Sequence, residues 1–243
     1  MAKLVQKSGY IKSGKASGYM RYIATREGVE KLAGNGAVTK GQRELIQKLL
    51  TDFPDAVELF EYEDYCKTPT LGTASAFITM ALDANLHEID SESGYMQYIA
   101  TRPRVQKHGS HGLFSSSTSV DLASAMSDLE AHEGNVWTII YSLHREDAVR
   151  LEYDNADAWR TLLMENIPTL AKSMKISLDN FHWYAAFHDE GHHPHIHMMV
   201  WSDDPKEGFL TKNGIAAMRS KLTNAIFRDE MQQIYERKDV AYS

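Results

Sequence analysis

Four segments of the chain have the hydrophobic and polar pattern of β-strands. Residues 135–143, 181–188 and 195–202 are short runs rich in β-branched and aromatic residues, which is typical of buried strands. Residues 2–12 alternate loosely and predict a strand at the N-terminus. Only a short polar turn separates the last two strands, so we expect them to pair as an antiparallel hairpin.

Helical periodicity, with apolar residues three and four positions apart, occupies most of the chain between these strands. The predicted helices cover residues 17–32, 41–50, 73–87, 120–134, 144–151, 155–175 and 213–236. Thr39 is placed to cap the second of them. By contrast, residues 108–118 are rich in glycine and serine and predict an exposed loop.

Strands and helices mix without a strict β-α-β order, which favours an α+β fold with a central antiparallel sheet. We expect residues 1–243 to form a single domain with a helical insertion around residues 35–130. The sequence still has a helical, charged character close to Ser243, so we also expect this chain to be the N-terminal part of a longer protein.

The composition is that of a folded protein, with 43% hydrophobic and 24% charged residues. Cys66 is the single cysteine among 243 residues, so no internal disulfide can form. No apolar run has the length of a signal peptide or a membrane helix. These features together predict a cytoplasmic protein.

The net charge of −7 counts against nucleic-acid binding, because phosphate contacts require Lys and Arg. The charges are distributed unevenly, however. Residues 1–26 are basic, and the last predicted helix carries Arg219, Lys221 and Arg228. An acidic protein with this distribution can still present one basic face, and we expect these residues to contact DNA if DNA is the substrate.

Five of the eleven histidines lie between residues 188 and 197. Residues two apart in a strand point to the same face, so His195 and His197 project together. His188 ends the preceding strand and can meet them across the hairpin. Three imidazoles that converge from paired strands predict a divalent metal site with open coordination positions, as catalytic sites have. His192 and His193 lie in the turn, where we expect a solvated loop.

Two acidic residues of the same turn admit two interpretations. Asp189 and Glu190 could hydrogen-bond the outer nitrogen of a ligand histidine and so orient it. They could equally be ordinary polar residues of a turn. The sequence leaves both interpretations open.

A decapeptide occurs twice in the chain. Residues 17–26 and 93–102 agree at nine of ten positions, and no longer series of repeats accompanies them. Tyr22 and Tyr98 occupy the same place in the two copies.

The histidine motif and several further segments together resemble the HUH-type conjugative relaxases, the Mob mobilisation proteins of plasmids and integrative elements. His188 precedes the pair His195 and His197 by seven positions, as in the MOBP- and MOBL-like branch found in Firmicutes. The similar segments also include the N-terminal strand, both YIATR segments, GSHGLF and NVWTIIYSLHREDA. The resemblance covers most of the chain.

This resemblance implies a five-stranded antiparallel sheet flanked by helices, as in HUH endonucleases. It also implies an enzyme that nicks and rejoins one DNA strand at a transfer origin and so initiates conjugative transfer. The implied partners are the origin DNA, in single-stranded or supercoiled form, and accessory relaxosome and coupling proteins.

The resemblance assigns roles to particular residues. Tyr22 is the expected nucleophile, with Tyr98 as the alternative, and Ser142 is expected to contact DNA. Arg21 and Arg26 could help to hold the scissile phosphate. For phosphoryl chemistry we expect Mn²⁺ or Mg²⁺ as the metal, although imidazole suits several ions, Zn²⁺ among them.

Two other functions are compatible with parts of the sequence. His193, His195 and His197 satisfy the pattern of a histidine-triad nucleotide hydrolase, which needs no metal, if Pro194 counts as hydrophobic. A DNA-binding module with a non-catalytic metal site would keep the basic segments yet tolerate phenylalanine at both Tyr22 and Tyr98.

Overall fold

The computed structural model contains five strands and eight α-helices in the part of the chain that it describes. The described residues are 3–10, 35–85, 92–101, 105–117, 119–130, 132–189 and 191–228. The helix predicted over residues 17–32 lies outside them, as does the end of the one predicted over 213–236. Within these ranges, no helix combines the length and the apolar character that crossing a membrane requires.

The five strands form one antiparallel sheet in the order β1-β3-β5-β4-β2. The strands are β1 Val5–Tyr10, β2 Leu113–Phe114, β3 Trp137–Ser142, β4 Phe181–His188 and β5 His195–Ser202. The predicted hairpin is confirmed, since β4 and β5 pair along their whole length, with His188 opposite His195. The α+β class with a five-stranded antiparallel sheet is therefore confirmed.

The prediction of an exposed loop over residues 108–118 is wrong at its centre. Leu113 and Phe114 form β2, are fully buried and pair with Ala186 and Ala185 of β4. A strand of two residues is too short to show an alternating pattern. Its hydrogen-bond partners are also supplied by a strand far along the chain, which no local window of sequence contains.

Most of the helices lie at the predicted positions, and several of them begin with a side-chain cap. They are α1 Lys40–Asp52, α2 Phe60–Lys67, α3 Leu71–Ala84, α4 Glu92–Thr101, α5 Leu122–Glu130, α6 Arg145–Arg150, α7 Ala156–Met174 and α8 Lys212–Ile226. The predicted cap is confirmed, because the Thr39 hydroxyl accepts a hydrogen bond from the backbone of Gln42. Asn155 and Thr211 cap α7 and α8 in the same way. Each cap satisfies a backbone N–H that the helix itself cannot.

The two faces of the sheet pack against different groups of helices. On one face, Tyr141 and Ile196 pack in a core with Trp159 of α7 and with residues of α8. On the other face, Ile140 packs with α1 and α3, while Met199 packs with α4 and α5. Because side chains alternate along a strand, His195 and His197 share the second face. The histidine face is therefore covered by helices from two sides.

A glycine at the close approach of α7 and α8 provides a test of this packing. A Cβ atom at Gly214 would lie 2.5 Å from the carbonyl oxygen of Ser173, so Gly214→Ala should force the two helices apart. We expect urea denaturation to show a loss of about 1–3 kcal/mol in the free energy of unfolding. Gly41→Ala in α1 is the matched control, since nothing lies within 4 Å of its added Cβ. The control should be neutral or stabilise by up to about 1 kcal/mol, and equal effects of both changes would contradict the packing.

Candidate metal centre

Three histidine rings converge on the interior face of the β4–β5 hairpin. His188 lies directly opposite His195, and His197 follows two positions later on the same face. All three are buried, with exposed fractions of 0%, 2% and 0% in chain order. Their ring centroids are 4.6 to 5.2 Å apart. The hairpin thus brings together the three residues that the sequence predicted as metal ligands.

Main-chain carbonyl groups determine which nitrogen of two of these rings carries the proton. His188 Nε2 is 2.9 Å from the carbonyl oxygen of Ile99, and His195 Nδ1 is 3.0 Å from that of His193. A carbonyl oxygen only accepts hydrogen bonds, so these nitrogens are the donors. In a neutral ring, Nδ1 of His188 and Nε2 of His195 then carry the lone pairs that bind a metal.

The donor set fits a divalent cation. One nitrogen from each ring lies within 4.8 Å of the others. Metal-bound histidines characteristically donate their other N–H to a carbonyl or carboxylate, as His188 and His195 do here. Three buried protein ligands leave coordination positions for a substrate oxygen, which is the arrangement of catalytic sites.

Ser142 is the predicted DNA-contacting residue that the fold places beside the histidines. It lies opposite His195 in the pairing of β3 with β5 and is only 2% exposed. Among the described residues, its hydroxyl has no hydrogen-bond partner. A buried hydroxyl without a partner is costly, and here it faces the side of the sheet that carries the three rings.

The expectation of a solvated loop is wrong for His193, which is only 5% exposed. Its Nε2 lies 2.7 Å from a carboxylate oxygen of Asp64 in α2, and its ring stacks on Phe60. Burial lowers the pKa of His193, although the Asp64 carboxylate partly opposes this effect. The imidazole is therefore neutral near pH 7 and donates its Nε2–H to Asp64. This partner is 129 positions away, so no local pattern indicates it.

Among the described residues, Asp189 pairs with an arginine and not with a ring of the three histidines. Asp189 accepts a hydrogen bond of 2.5 Å from the guanidinium of Arg145, which also donates to the Gly191 carbonyl. Arg145 thereby fastens the turn of the hairpin to the start of α6. Glu190 lies outside the described residues.

The predicted cationic residues divide into two groups. Arg219, Lys221 and Arg228 are exposed on or just after α8, which packs on the sheet face opposite the histidines. The fold therefore does not bring them together with the three rings. Arg21 and Arg26 lie outside the described residues.

The two tyrosines of the repeat differ in how far the structure describes them. Tyr22 lies outside the described residues, and for Tyr98 in α4 only the backbone is described. Its neighbour Ile99 supplies the carbonyl oxygen that binds His188. The backbone of the second copy therefore lies beside the three histidines, a contact that the sequence did not indicate.

Comparison with known proteins identifies one family. The profile of the family described as MobL relaxases matches residues 1–242. No curated protein matches the chain, and neither does any solved structure.

Metal binding should stabilise the folded chain, because only the folded state brings the three rings together. At a Mn²⁺ concentration 100-fold above Kd, the free energy of unfolding should rise by about 2.7 kcal/mol. Thermal melts with and without Mn²⁺ measure this difference. His195→Ala and His197→Ala should each abolish it. His182→Ala, which removes an exposed histidine paired with Asp203, should leave it intact, and a Mn²⁺ effect in the His197→Ala variant would show that the site is wrongly assigned.

Proposed function

Since the chain belongs to the MobL relaxases, a family of DNA-nicking enzymes that act in mobilisation, we propose that it cuts and rejoins one strand at a transfer origin by tyrosine transesterification. This reaction would initiate conjugative transfer. The observation that supports it most is the buried cluster of His188, His195 and His197, which fits a divalent cation.

In the proposed reaction, a phenolic oxygen attacks the phosphorus of one phosphodiester. The bond from phosphorus to the 3′ oxygen breaks, so the tyrosine becomes joined to the 5′ phosphate and a 3′ hydroxyl leaves. The phenolic proton passes to a base or water, and the 3′ oxygen gains one. No water is consumed, so the reverse attack by a 3′ hydroxyl rejoins the strand.

The residues around the triad have separate roles in this proposal. His188, His195 and His197 hold the ion, which would polarise the scissile phosphate and offset its charge when bound. Ser142 donates its hydroxyl hydrogen to a phosphate oxygen. We propose Mn²⁺ or Mg²⁺ as the native ion, and Zn²⁺ should be tested beside them because imidazole nitrogen suits it.

We propose Tyr22 as the nucleophile and Tyr98 as the alternative. The family resemblance supports Tyr22, whereas the contact of Ile99 with His188 supports the second copy. Tyr141 is unsuitable although it precedes Ser142, because it packs in the core on the other face of the sheet. Burial also raises the pKa of its hydroxyl, which makes deprotonation harder.

The histidine-triad hydrolase has less support than the relaxase. That reaction would use His193 together with His195 and His197, but the ring of His193 stacks on Phe60 and binds Asp64. The family match also favours nicking. A DNA-binding module without catalysis is the remaining alternative, and an assay for covalent protein–DNA adducts distinguishes it from the relaxase.

The nucleophile can be identified with single phenylalanine substitutions. Tyr22→Phe removes one oxygen and little volume, so folding and Mn²⁺ binding should persist while covalent adducts disappear. The assay incubates the protein with Mn²⁺ and a supercoiled plasmid that carries the transfer origin. Denaturing gels then resolve the protein–DNA adduct. Tyr141→Phe is the control for loss of a phenol elsewhere and should retain adduct formation.

The second copy makes this assay decisive. Adducts from Tyr22→Phe but none from Tyr98→Phe would assign the nucleophile to Tyr98. Loss only in the double variant would show that either tyrosine can attack. Adducts from the double variant would exclude both tyrosines, and no adduct or nick from the unaltered chain would support the non-catalytic module.

We propose that the DNA strand contacts basic residues of the N-terminal segment and of helix α8. Arg21 and Arg26 would hold the scissile phosphate. Because α8 lies on the sheet face opposite the three histidines, its residues Arg219, Lys221 and Arg228 would contact DNA that extends past the edge of the sheet.

We propose further that residues 1–243 form one nicking domain with 35–130 as a helical insertion. It would act in the cytoplasm with accessory relaxosome and coupling proteins.

The salt dependence of DNA binding tests the contribution of α8. Changing Arg219, Lys221 and Arg228 together to Gln should reduce the slope of log K against log salt by about 2 for a single-stranded oligonucleotide. Fluorescence anisotropy at several salt concentrations measures this slope. The control is Lys206→Gln, an exposed lysine beyond the end of β5 that is remote from His195. An unchanged slope in the triple variant would remove α8 from the DNA path.

A further inference from the structure

Asp64 connects helix α2 to the turn of the histidine hairpin. One of its carboxylate oxygens accepts the Nε2–H of His193 at 2.7 Å. The side chain of His193 is 6% exposed and that of Asp64 36%, so water competes little for the histidine end of this contact. Hydrogen bonds between a charged and a neutral group at this distance are among the stronger ones in proteins.

The ring of His193 is held on its other sides by aromatic neighbours. Phe60, one turn before Asp64 in α2, stacks on it with ring centroids 5.2 Å apart. His144, which follows β3, lies 4.9 Å away and edge-on. Two different parts of the fold, α2 and the segment after β3, therefore determine the position of this side chain.

The backbone of His193 acts directly on a metal ligand. Its carbonyl oxygen accepts the Nδ1–H of His195 at 3.0 Å. Pro194 follows, and a residue before proline is confined to extended backbone conformations. With the ring fixed and the backbone restricted, the direction of this carbonyl has little freedom. The carbonyl in turn sets the proton position and the rotation of the His195 ring.

We propose that Asp64 is a positioning residue of the metal centre. By holding the ring of His193, it fixes the carbonyl group that presents His195 Nε2 to the ion. The inference rests on the proposed metal site and extends it to α2, a helix that supplies none of the three histidine ligands.

A measurement of metal affinity distinguishes a positioning role of Asp64 from a simple packing role. Asp64→Ala should weaken Mn²⁺ binding about tenfold in isothermal titration calorimetry, the lower end of the range for groups that orient metal ligands. Asp64→Asn should recover most of the affinity, because its amide oxygen can still accept from His193. Glu63→Ala is the matched control. It removes a neighbouring carboxylate of α2 that pairs with Lys67, and it should not change affinity.

A second variant makes the test independent of Asp64. His193→Ala removes the ring and keeps the carbonyl, so it should weaken Mn²⁺ binding to the same extent as Asp64→Ala. The double variant should be no weaker than either single one, since both changes break the same connection. The visible spectrum of bound Co²⁺ should change in both single variants, which reports altered ligand geometry.

The outcomes distinguish this inference from the proposed function. If the unaltered chain binds Mn²⁺ and forms adducts while either variant binds as tightly with the same Co²⁺ spectrum, positioning by Asp64 is overturned and the relaxase mechanism stands. If Asp64→Asn is as weak as Asp64→Ala, the hydrogen bond is not the cause and the inference also fails. If the unaltered chain binds no divalent ion, the metal centre itself is wrong.

Discussion

The positions of the surrounding elements depend on the burial of three imidazole rings on one face of the sheet. A buried polar ring is costly unless its nitrogens are satisfied. His188 and His195 each donate one N–H to a main-chain carbonyl, from Ile99 in α4 and from His193 in the turn. A shift of one residue in the register of β4 and β5 would turn these rings into the opposite core. The hairpin, its turn and α4 must therefore keep fixed positions relative to one another.

The hairpin could be predicted from the sequence because every feature that defines it is local. Residues 181–188 and 195–202 have the strand pattern over their whole length, and the observed strands have the same bounds. The spacing of two between His195 and His197 fixes their shared face, and the short turn fixes the antiparallel pairing that adds His188. Three candidate metal ligands thus follow from one supersecondary unit.

The parts that sequence analysis missed depend on contacts between distant segments. The strand β2 exists because β4 offers it hydrogen bonds. The short helix α2 was not predicted, since its eight residues carry little periodicity, yet it provides both Phe60 and Asp64. His193 was assigned to a solvated turn because Pro194 interrupts the strand pattern. Only the folded chain shows that α2 covers this turn and removes the ring from water.

The second copy of the repeated decapeptide meets two structural requirements, which are core packing and a contact with His188. Met96, Ile99 and Ala100 are fully buried and belong to the core between α4, α5 and the sheet. Their spacing of three and four positions is that of one helix face, so packing accounts for the apolar half of the motif. The contact with His188 uses a backbone carbonyl, which any residue type supplies, and therefore constrains the position of α4 rather than its sequence. The case for a catalytic tyrosine consequently rests on the family resemblance, which favours Tyr22, and on the contact of the second copy with His188.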